Sequence, residues 1–529
     1  MTPLDLWRRY QQHRCAADSV GIEVDISRMM FDESFLSSIA SPMNRALEAM
    51  AALEGGALAN RDEGQMVGHY WLRAPELAPD ETIRHDIAGS IESVKRFARD
   101  VHGGVIQPER GDGFYVALLI GIGGSSLGPQ LVTDALGGVD DAVVVRFIDN
   151  TDPDGIERTL AELEETLAQT LTIVVSKSGG TVETRNAMLE VASAYHEAGL
   201  SFAKHAVAVT AEDSLLHRQA VGERWLRTFP VWEWVGGRTS VCSPVGLLPA
   251  ALQGVDIDAF LGGARNGDEA TRNPAWRQNP AAVLAAMWHY ACATRGKRTM
   301  AVIPYRDRLA LLGRYLQQLV MESIGKAVDR HGTTVREGLT VYGNKGSTDQ
   351  HAYVQQLRDG ADDFFVTFVR VQRDRAGPSI DVETDVTSGD YLRSLWQGTR
   401  EALTDNGRES ITLTLEELDA RTVGALLALF ERAVGLYAEL IDVNAYHQPG
   451  VEAGKIAAGR AVELQRRILA HLRRSSQGGY SAEDIALAIG AVDQMETVDG
   501  ILRHAAANRH HRVERVLATG EAAVRYRIS

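Results

Sequence analysis

Short apolar runs and amphipathic segments alternate through the middle of the chain, and that alternation predicts repeated strand–helix units. Phe114 to Ile120 is an apolar run that meets Gly121 and Gly123-Gly124, after which Leu127 to Leu136 reads as a helix. Ala142 to Ile148 is a further strand candidate. Leu171 to Val175, rich in β-branched residues, enters Ser176-Lys177-Ser178-Gly179-Gly180, and Thr181 to Ala198 follows with helical periodicity. His205 to Thr210 adds another strand. The pattern restarts near Lys297, with Met300 to Ile303 as a strand, Arg308 to Ala327 as a long helix, and Val366 to Val371 and Ile411 to Leu415 as later strands. Buried strands joined by helices imply parallel sheets covered on both faces, so two doubly wound α/β domains are expected.

Around this centre the pattern changes. Residues 1–105 read as a mainly helical N-terminal segment, 106–290 as the first α/β domain, 291–475 as the second, and 476–529 as a small α+β appendage. The polar, glycine-containing stretch Asp256 to Gln278 is where the first sheet is expected to hand over to the second. Ser475 to Gly479 reads as a linker. Beyond it, Ser481 with Asp484 three residues on opens a helix to about Gly490, and Thr497 to Ala507 is a second helix. Val513 to Leu517, a Thr519-Gly520 turn and the strict alternation of Val524 to Ile528 then predict a hairpin. Two helices and a hairpin make a winged-helix-like module, but its arginines are offset by acids and no basic face for DNA is apparent.

Composition narrows the function classes. The 529 residues are 45% hydrophobic and 24% charged, the balance of a folded globular protein with room for two or three domains. A net charge of -15 repels polyphosphate backbones overall, which makes nucleic acid an unfavourable main partner. Cys15, Cys242 and Cys292 are far apart with no CxxC pair, so neither a disulfide framework nor a cysteine zinc site is suggested, and a reducing cytoplasm fits. The first twenty residues carry Asp5, Arg8, Arg9, His13 and Arg14 without an apolar core, and no run of about 18 apolar residues occurs. Neither secretion nor a membrane span is expected.

Six places carry candidate chemistry. The turn Gly121-Ile122-Gly123-Gly124-Ser125-Ser126 lies between a strand and a helix, where glycine lets a ligand approach the backbone. By itself it is equally a tight structural turn, and its spacing is not GxGxxG. Ser176-Lys177-Ser178-Gly179-Gly180-Thr181 gathers three hydroxyls, a lysine and two glycines where a strand gives way to a helix. This suits a phosphate monoester, because hydroxyls and free helix-start amides satisfy an anion's oxygens. The lysine precedes the glycines, so it is not a Walker loop. Arg314, Gln318, Glu322 and Lys326 recur every four residues and share one helix face, either a solvated stripe or, with Leu316, Leu319, Val320 and Met321 around it, a carboxylate held for proton transfer. His351 follows a polar loop, Arg238 follows Gly236-Gly237, and Lys455 lies two turns beyond Gln448; each taken singly reads as structural or surface.

Together these segments strongly resemble the phosphoglucose isomerase family over residues 115–465. Gly121 to Pro129, Ser176 to Thr184, Gly236 to Ser240, Met321 to Lys326, Gly346 to Tyr353 and Gln448 to Lys455 occur in the family's order. The resemblance implies two sugar isomerase domains of doubly wound α/β fold. It also implies aldose–ketose isomerisation of glucose 6-phosphate and fructose 6-phosphate through a cis-enediolate. By the same resemblance Ser176, Lys177, Ser178 and Thr181 hold the sugar phosphate, with Gly124 and Ser125 lining the pocket. Glu322 is the base, His351 and Lys455 assist ring opening, Arg238 stabilises the enediolate, and Gln318 and Gln448 orient the hydroxyls. No metal or redox cofactor is implied, and a histidine supplied by a neighbouring subunit implies a homodimer with shared active sites. Departures from the family pattern are Gly180 for a commoner Thr, Ile324 for Asn and Thr239 for an aromatic residue. The alternatives are a non-catalytic sugar-phosphate sensor and a related isomerase that also accepts mannose 6-phosphate.

Overall fold

In the computed structural model, residues 2–474, 479–517 and 524–529 are described. The chain divides into two compact units, Met1–His447 and Gln448–Ser529.

The first unit is built on two sheets. Five parallel strands form one of them, in the order Val144–Ile148, Val116–Ile120, Thr170–Val175, Ala206–Thr210, Arg227–Pro230. Val116–Ile120 and Thr170–Val175 are buried on both faces, which is why they read as continuous apolar runs rather than as alternation. The chain reverses its direction of growth between these two strands. In open α/β sheets the crevice beyond the strand ends at such a switch point is where ligands bind. The Gly121–Ser126 and Ser176–Thr181 turns leave those two strand ends.

The second sheet repeats the order. Its parallel strands run Thr340–Tyr342, Thr299–Tyr305, Phe364–Val371, Ser410–Leu415, with a switch point between Thr299–Tyr305 and Phe364–Val371. The N-terminal segment is mainly helical, with helices Pro3–Gln12, Glu33–Glu54 and Glu81–His102. It also lends the hairpin Arg14–Ala17 and Ile22–Arg28, which joins antiparallel to Ser410–Leu415 and extends the second sheet. Alternating burial is confined to the four residues Arg14–Ala17, too short to stand out beside the flanking helices.

One expectation needs correction. Arg308 to Ala327 is not one long helix. A 3-10 turn at Asp307–Leu309 leads to the α-helix Leu312–Leu316, then to a π-helical turn Gln317–Glu322, and Lys326–Val328 is already a short strand. Gly325 closes the helix by donating to the Met321 carbonyl at 2.9 Å, and a Cβ at Gly325 would lie 2.7 Å from that oxygen. The polar stretch from Asp256 is largely the helix Ile257–Thr271, which packs along the buried helix Ala420–Leu440. Its glycines allow the contact: a Cβ at Gly263 would meet Arg421 backbone, and one at Gly424 would lie 2.1 Å from the Phe260 carbonyl.

Between these helices lies a fully buried ion network. Arg73 donates to both carboxylate oxygens of Asp268 (2.6 and 2.9 Å) and to Glu431 (2.5 Å), while Arg432 reaches Glu54 at 2.5 Å. Burial pushes the Glu431 carboxyl up to about 7 despite Arg73 beside it. Removing one partner of such a network leaves an uncompensated charge in the core.

In the second unit, the helix Pro449–Arg474 carries Leu464, Ile468, Leu469 and Leu472 into a core shared with the helices Ala482–Ala488 and Met495–Ala507 and with Val513 and Tyr526. Val513–Leu517 pairs antiparallel with Val524–Ile528. Ser481 caps the first of the short helices with a reciprocal Asp484 bond. The predicted Thr519-Gly520 turn and most of the Ser475 to Gly479 linker lie outside the described residues.

Candidate active site

The turn after Val116–Ile120 tightens into a 3-10 turn, Gly123–Ser125, with Gly123 at φ +59°. Gly124 lies against a second glycine turn from the far side of the sheet. A Cβ on Gly124 would sit 2.2 Å from both the carbonyl carbon and the carbonyl oxygen of Gly237, so only glycine permits this approach. Ser240 fastens the pair, its hydroxyl donating to the carbonyls of Gly237 (2.7 Å) and Gly124 (3.3 Å).

The turn after Thr170–Val175 is fixed from several sides. Ser176 is buried and its hydroxyl donates to Thr181 Oγ1 at 3.1 Å, while Thr210 anchors the Ser176 carbonyl at 2.7 Å. Ser178 Oγ accepts from the Gly180 amide at 3.2 Å. Gly179 has φ +68° and would place a Cβ 2.3 Å from the Leu216 amide. Thr181 starts the helix Val182–Glu197 but makes no side-chain cap bond, so the first-turn amides are not taken by a capping oxygen. Helix-start donors beside hydroxyls suit an anion. Lys177 reaches across to the Glu233 and Val235 carbonyls (2.9 and 3.3 Å) and pairs with the Glu233 carboxylate at 3.3 Å. Those carbonyls precede Gly236-Gly237-Arg238, so Lys177 ties this turn to the arginine's turn.

Arg238 is 6% exposed. Its guanidinium donates to Glu322 Oε2 at 2.9 Å and to the Ala445 and His447 carbonyls at 2.9 and 3.1 Å. Burial pulls Arg238 below the usual guanidinium range and the Glu322 charge acts against that pull. Gln318 Nε2 donates to the same Glu322 oxygen at 3.3 Å. A Cβ at Gly123 would lie 3.1 Å from Gln318 Nε2, which places the carboxylate segment over the first glycine turn. The π turn carries both residues; such turns re-aim helix side chains and recur at functional sites.

Lys326 was visible in the four-residue stripe but its part was not. It is buried and donates to the Glu322 carbonyl at 2.5 Å and the His447 carbonyl at 3.1 Å. Burial first, then the Arg238 charge, pushes its ammonium down to about 8. Arg314, the other end of the stripe, is solvent-facing and pairs with Asp149 at 3.2 Å. The carbonyls of Glu233, Ala445 and His447 left no signal in the sequence, because main-chain acceptors carry no residue identity.

Glu322, Arg238 and Gln318 are thus joined by direct hydrogen bonds, Gly124 lies against Gly237 next to Arg238 with Ser125 in the same turn, and the Ser176–Thr181 turn is joined to the Gly236-Gly237-Arg238 turn through Lys177. His351 is exposed at the end of the 3-10 turn Thr348–His351, and no hydrogen bond or ion pair among the described residues joins it to Glu322 or Arg238. Its segment is held by buried Asp349, which accepts from the Asn344 amide (2.9 Å) and the Tyr353 hydroxyl (2.5 Å). Gln448 and Lys455 belong to the second unit, at the start of the helix Pro449–Arg474, where Lys455 is exposed. Among the described residues no group of three His, Cys, Asp or Glu side chains is placed to hold a metal. No helix among them is long and apolar enough to cross a membrane.

This arrangement can hold a phosphate at one end of a crevice and offer a carboxylate beside a fixed guanidinium at the other. The family model described as phosphoglucose isomerase matches residues 25–389 and 399–479. The glucose-6-phosphate isomerase of Geotalea daltonii is 56% identical over 513 residues, 97% of each chain, and that of Geobacter sulfurreducens is 56% identical over 514 residues, again 97% of each. Among solved structures, a glucose-6-phosphate isomerase from Chlamydia trachomatis superposes with a TM-score of 0.80 at 27% identity, covering 87% of this chain and 91% of that one. A Thermus thermophilus protein titled hypothetical gives 0.70 at 30% identity, covering 83% and 99%.

Proposed function

The chain belongs to the phosphoglucose isomerase family, and from that membership we infer that it interconverts glucose 6-phosphate and fructose 6-phosphate. The observation that carries the reading is the Glu322 carboxylate held by Arg238 and Gln318 over the glycine turn of the first sheet. Ser176, Ser178, Thr181 and the first-turn amides of Val182–Glu197 take the phosphate, with Lys177 supplying charge and Gly124 and Ser125 the neighbouring wall. Ring opening is assisted by His351 and Lys455. Glu322 then removes the proton from C2 of the open aldose, giving a cis-enediolate, and returns it to C1 while the hydroxyl proton passes between O2 and O1. A carboxylate suits both directions because it can take and give back the same proton. Arg238 cannot lose its own proton and stabilises the oxyanion as it forms. Gln318 and Gln448 orient the hydroxyls.

The active unit is a homodimer in which His351 is supplied to the partner's site; its exposure and its lack of contact with Glu322 in its own chain favour this. The three cysteines are unpaired and buried, which fits a cytoplasmic location. The test is fructose 6-phosphate conversion followed through a coupled nicotinamide assay for the wild type beside Glu322→Gln. A folded variant that binds substrate but turns over at least about 10³-fold more slowly supports the assignment, on the scale expected for losing a general base. A variant with near wild-type kcat refutes it. Wild-type protein that binds the sugar phosphate without converting it would move the sensor reading to first place.

A further inference from the structure

The second sheet has its own switch point, and its crevice is not used by the site above. Beyond the ends of Thr299–Tyr305 and Phe364–Val371 lies a cavity of about 100 Å³, closed on its other side by the start of the helix Ser388–Asp405. At about 10–15 Å³ of such space per water, it admits an oxyanion group with waters beside it.

Its lining is cationic. Arg306 and Arg370 leave the two strand ends, and Arg393 faces them from the helix. None of the three makes an ion pair within 4.0 Å among the described residues. Arg370 lies over the Trp396 ring at 4.6 Å and donates to the Gln372 side chain, which fixes the direction of its fork. Two acids also line the cavity. Asp390 is committed to the helix cap, accepting from the Thr387 amide and hydroxyl at 3.0 and 2.8 Å, so Asp374 is the one carboxylate left against three guanidiniums.

A second observation points to a missing acceptor. Trp396 is 7% exposed, lines the cavity, and its indole N–H is buried without a hydrogen-bond partner among the described residues. An indole nitrogen can only donate. The floor is rigid: the Tyr305 hydroxyl bonds to Gln350 at 3.3 Å and to Thr399 at 3.2 Å. We propose that this crevice is a second oxyanion site, taking the phosphate group of inorganic phosphate or of a small phosphorylated metabolite. Guanidinium forks match phosphate oxygens two at a time, and the indole supplies a further donor.

The test is equilibrium dialysis of the full chain against radiolabelled inorganic phosphate up to about 10 mM, tenfold above a millimolar Kd. Wild-type chain is expected to hold one more phosphate than Arg306→Gln/Arg393→Gln, with Trp396→Phe weakening that phosphate about tenfold, the loss expected for one hydrogen bond to a charged acceptor. Retained turnover of fructose 6-phosphate shows that these variants are folded. Arg393 is exposed, so Arg393→Gln alone is a further variant whose fold is not at risk. Equal phosphate in wild type and double variant overturns the proposal. The comparison is independent of the first sheet's phosphate turn, because Ser178→Ala/Thr181→Ala reports on that turn separately. In that latter background, glycerol 3-phosphate displacing the label more strongly than unlabelled phosphate identifies a metabolite site, and weaker displacement identifies a site for the free ion.

Discussion

Gly124→Ala tests whether the close approach of the two glycine turns is what places Arg238. The added methyl would lie 2.2 Å from Gly237 backbone, whereas ordinary contact begins at 3.4 Å, so the turns must separate by about 1.2 Å. The obstacle is main chain on both sides and cannot rotate away. Overpacking of this kind costs about 1–3 kcal/mol, and a shift of about 1 Å at a catalytic group lowers the rate by about 10². Because Gly237 adjoins Arg238, that shift falls on the guanidinium that faces Glu322. The coupled isomerase assay should give kcat/KM about a hundredfold below wild type, with a lowered thermal midpoint. Gly180→Ala is the control: its nearest neighbour would be Ser178 Oγ at 3.6 Å, an ordinary contact, and its activity should stay close to wild type. If Gly124→Ala turns over within about twofold of wild type while Gly180→Ala does the same, contact distance at Gly124 does not set the Arg238 position and the reasoning fails.

Three further outcomes are expected. Mixing Glu322→Gln with His351→Ala, each inactive alone, should restore about a quarter of wild-type activity if subunits exchange, since half the dimers are mixed and each holds one intact site; no recovery would place the histidine in its own chain's site or remove it from the reaction. Lys326 has a folded pKa of about 8 against an ordinary 10.5, so the unfolded chain binds more protons between those values. Stability should therefore rise with pH through that window by up to about 3 kcal/mol, read as urea midpoints, and the rise should vanish in Lys326→Met; an unchanged slope would contradict the burial argument. Deleting residues 480–529 uncovers Leu464, Ile468, Leu469 and Leu472 at about 1.5–3 kcal/mol each, so the shortened chain should bind hydrophobic dye and aggregate; a soluble, dye-negative product would refute a shared core.

What the sequence made legible follows from how each feature is encoded. Strands buried on both faces show as apolar runs, so Val116–Ile120, Thr170–Val175 and Phe364–Val371 were readable, as were the glycine turns that follow the first two. Glu322 was readable as the centre of a stripe with Gln318, and that pair does share a contact. The π turn was not, because a wider turn leaves the polar spacing of the segment intact and depends on main-chain bonding that Gly325 ends. The hairpin Arg14–Ala17 and Ile22–Arg28 is defined by pairing with Ser410–Leu415, nearly four hundred residues on, and no local period reports such a partner. The Asp256–Gln278 stretch was readable only as polar and glycine-containing; that its glycines are the contact surface of a buried helix crossing depends on Ala420–Leu440, far along the chain.

The two sheets share a strand order, so each has a crevice where its growth reverses, but they are not used alike. In the first, both strand ends lead into glycine-containing turns with hydroxyls, which expose main-chain donors. In the second, Thr299–Tyr305 leads through Arg306 into the segment that ends at Glu322, and that segment leaves its own sheet to lie over Gly123 of the other. The Glu322 carboxylate and the donors of the Ser176–Thr181 turn therefore come from different halves of one unit. That division lets the Ser176–Thr181 turn be fixed within the first sheet while Arg238 and Gln318 hold the Glu322 carboxylate. The second crevice is lined instead by Arg306, Arg370 and Arg393. Three cations facing one free carboxylate repel one another unless an anion sits between them, so the same topological choice that brings Glu322 to Arg238 creates the second site's demand for a ligand.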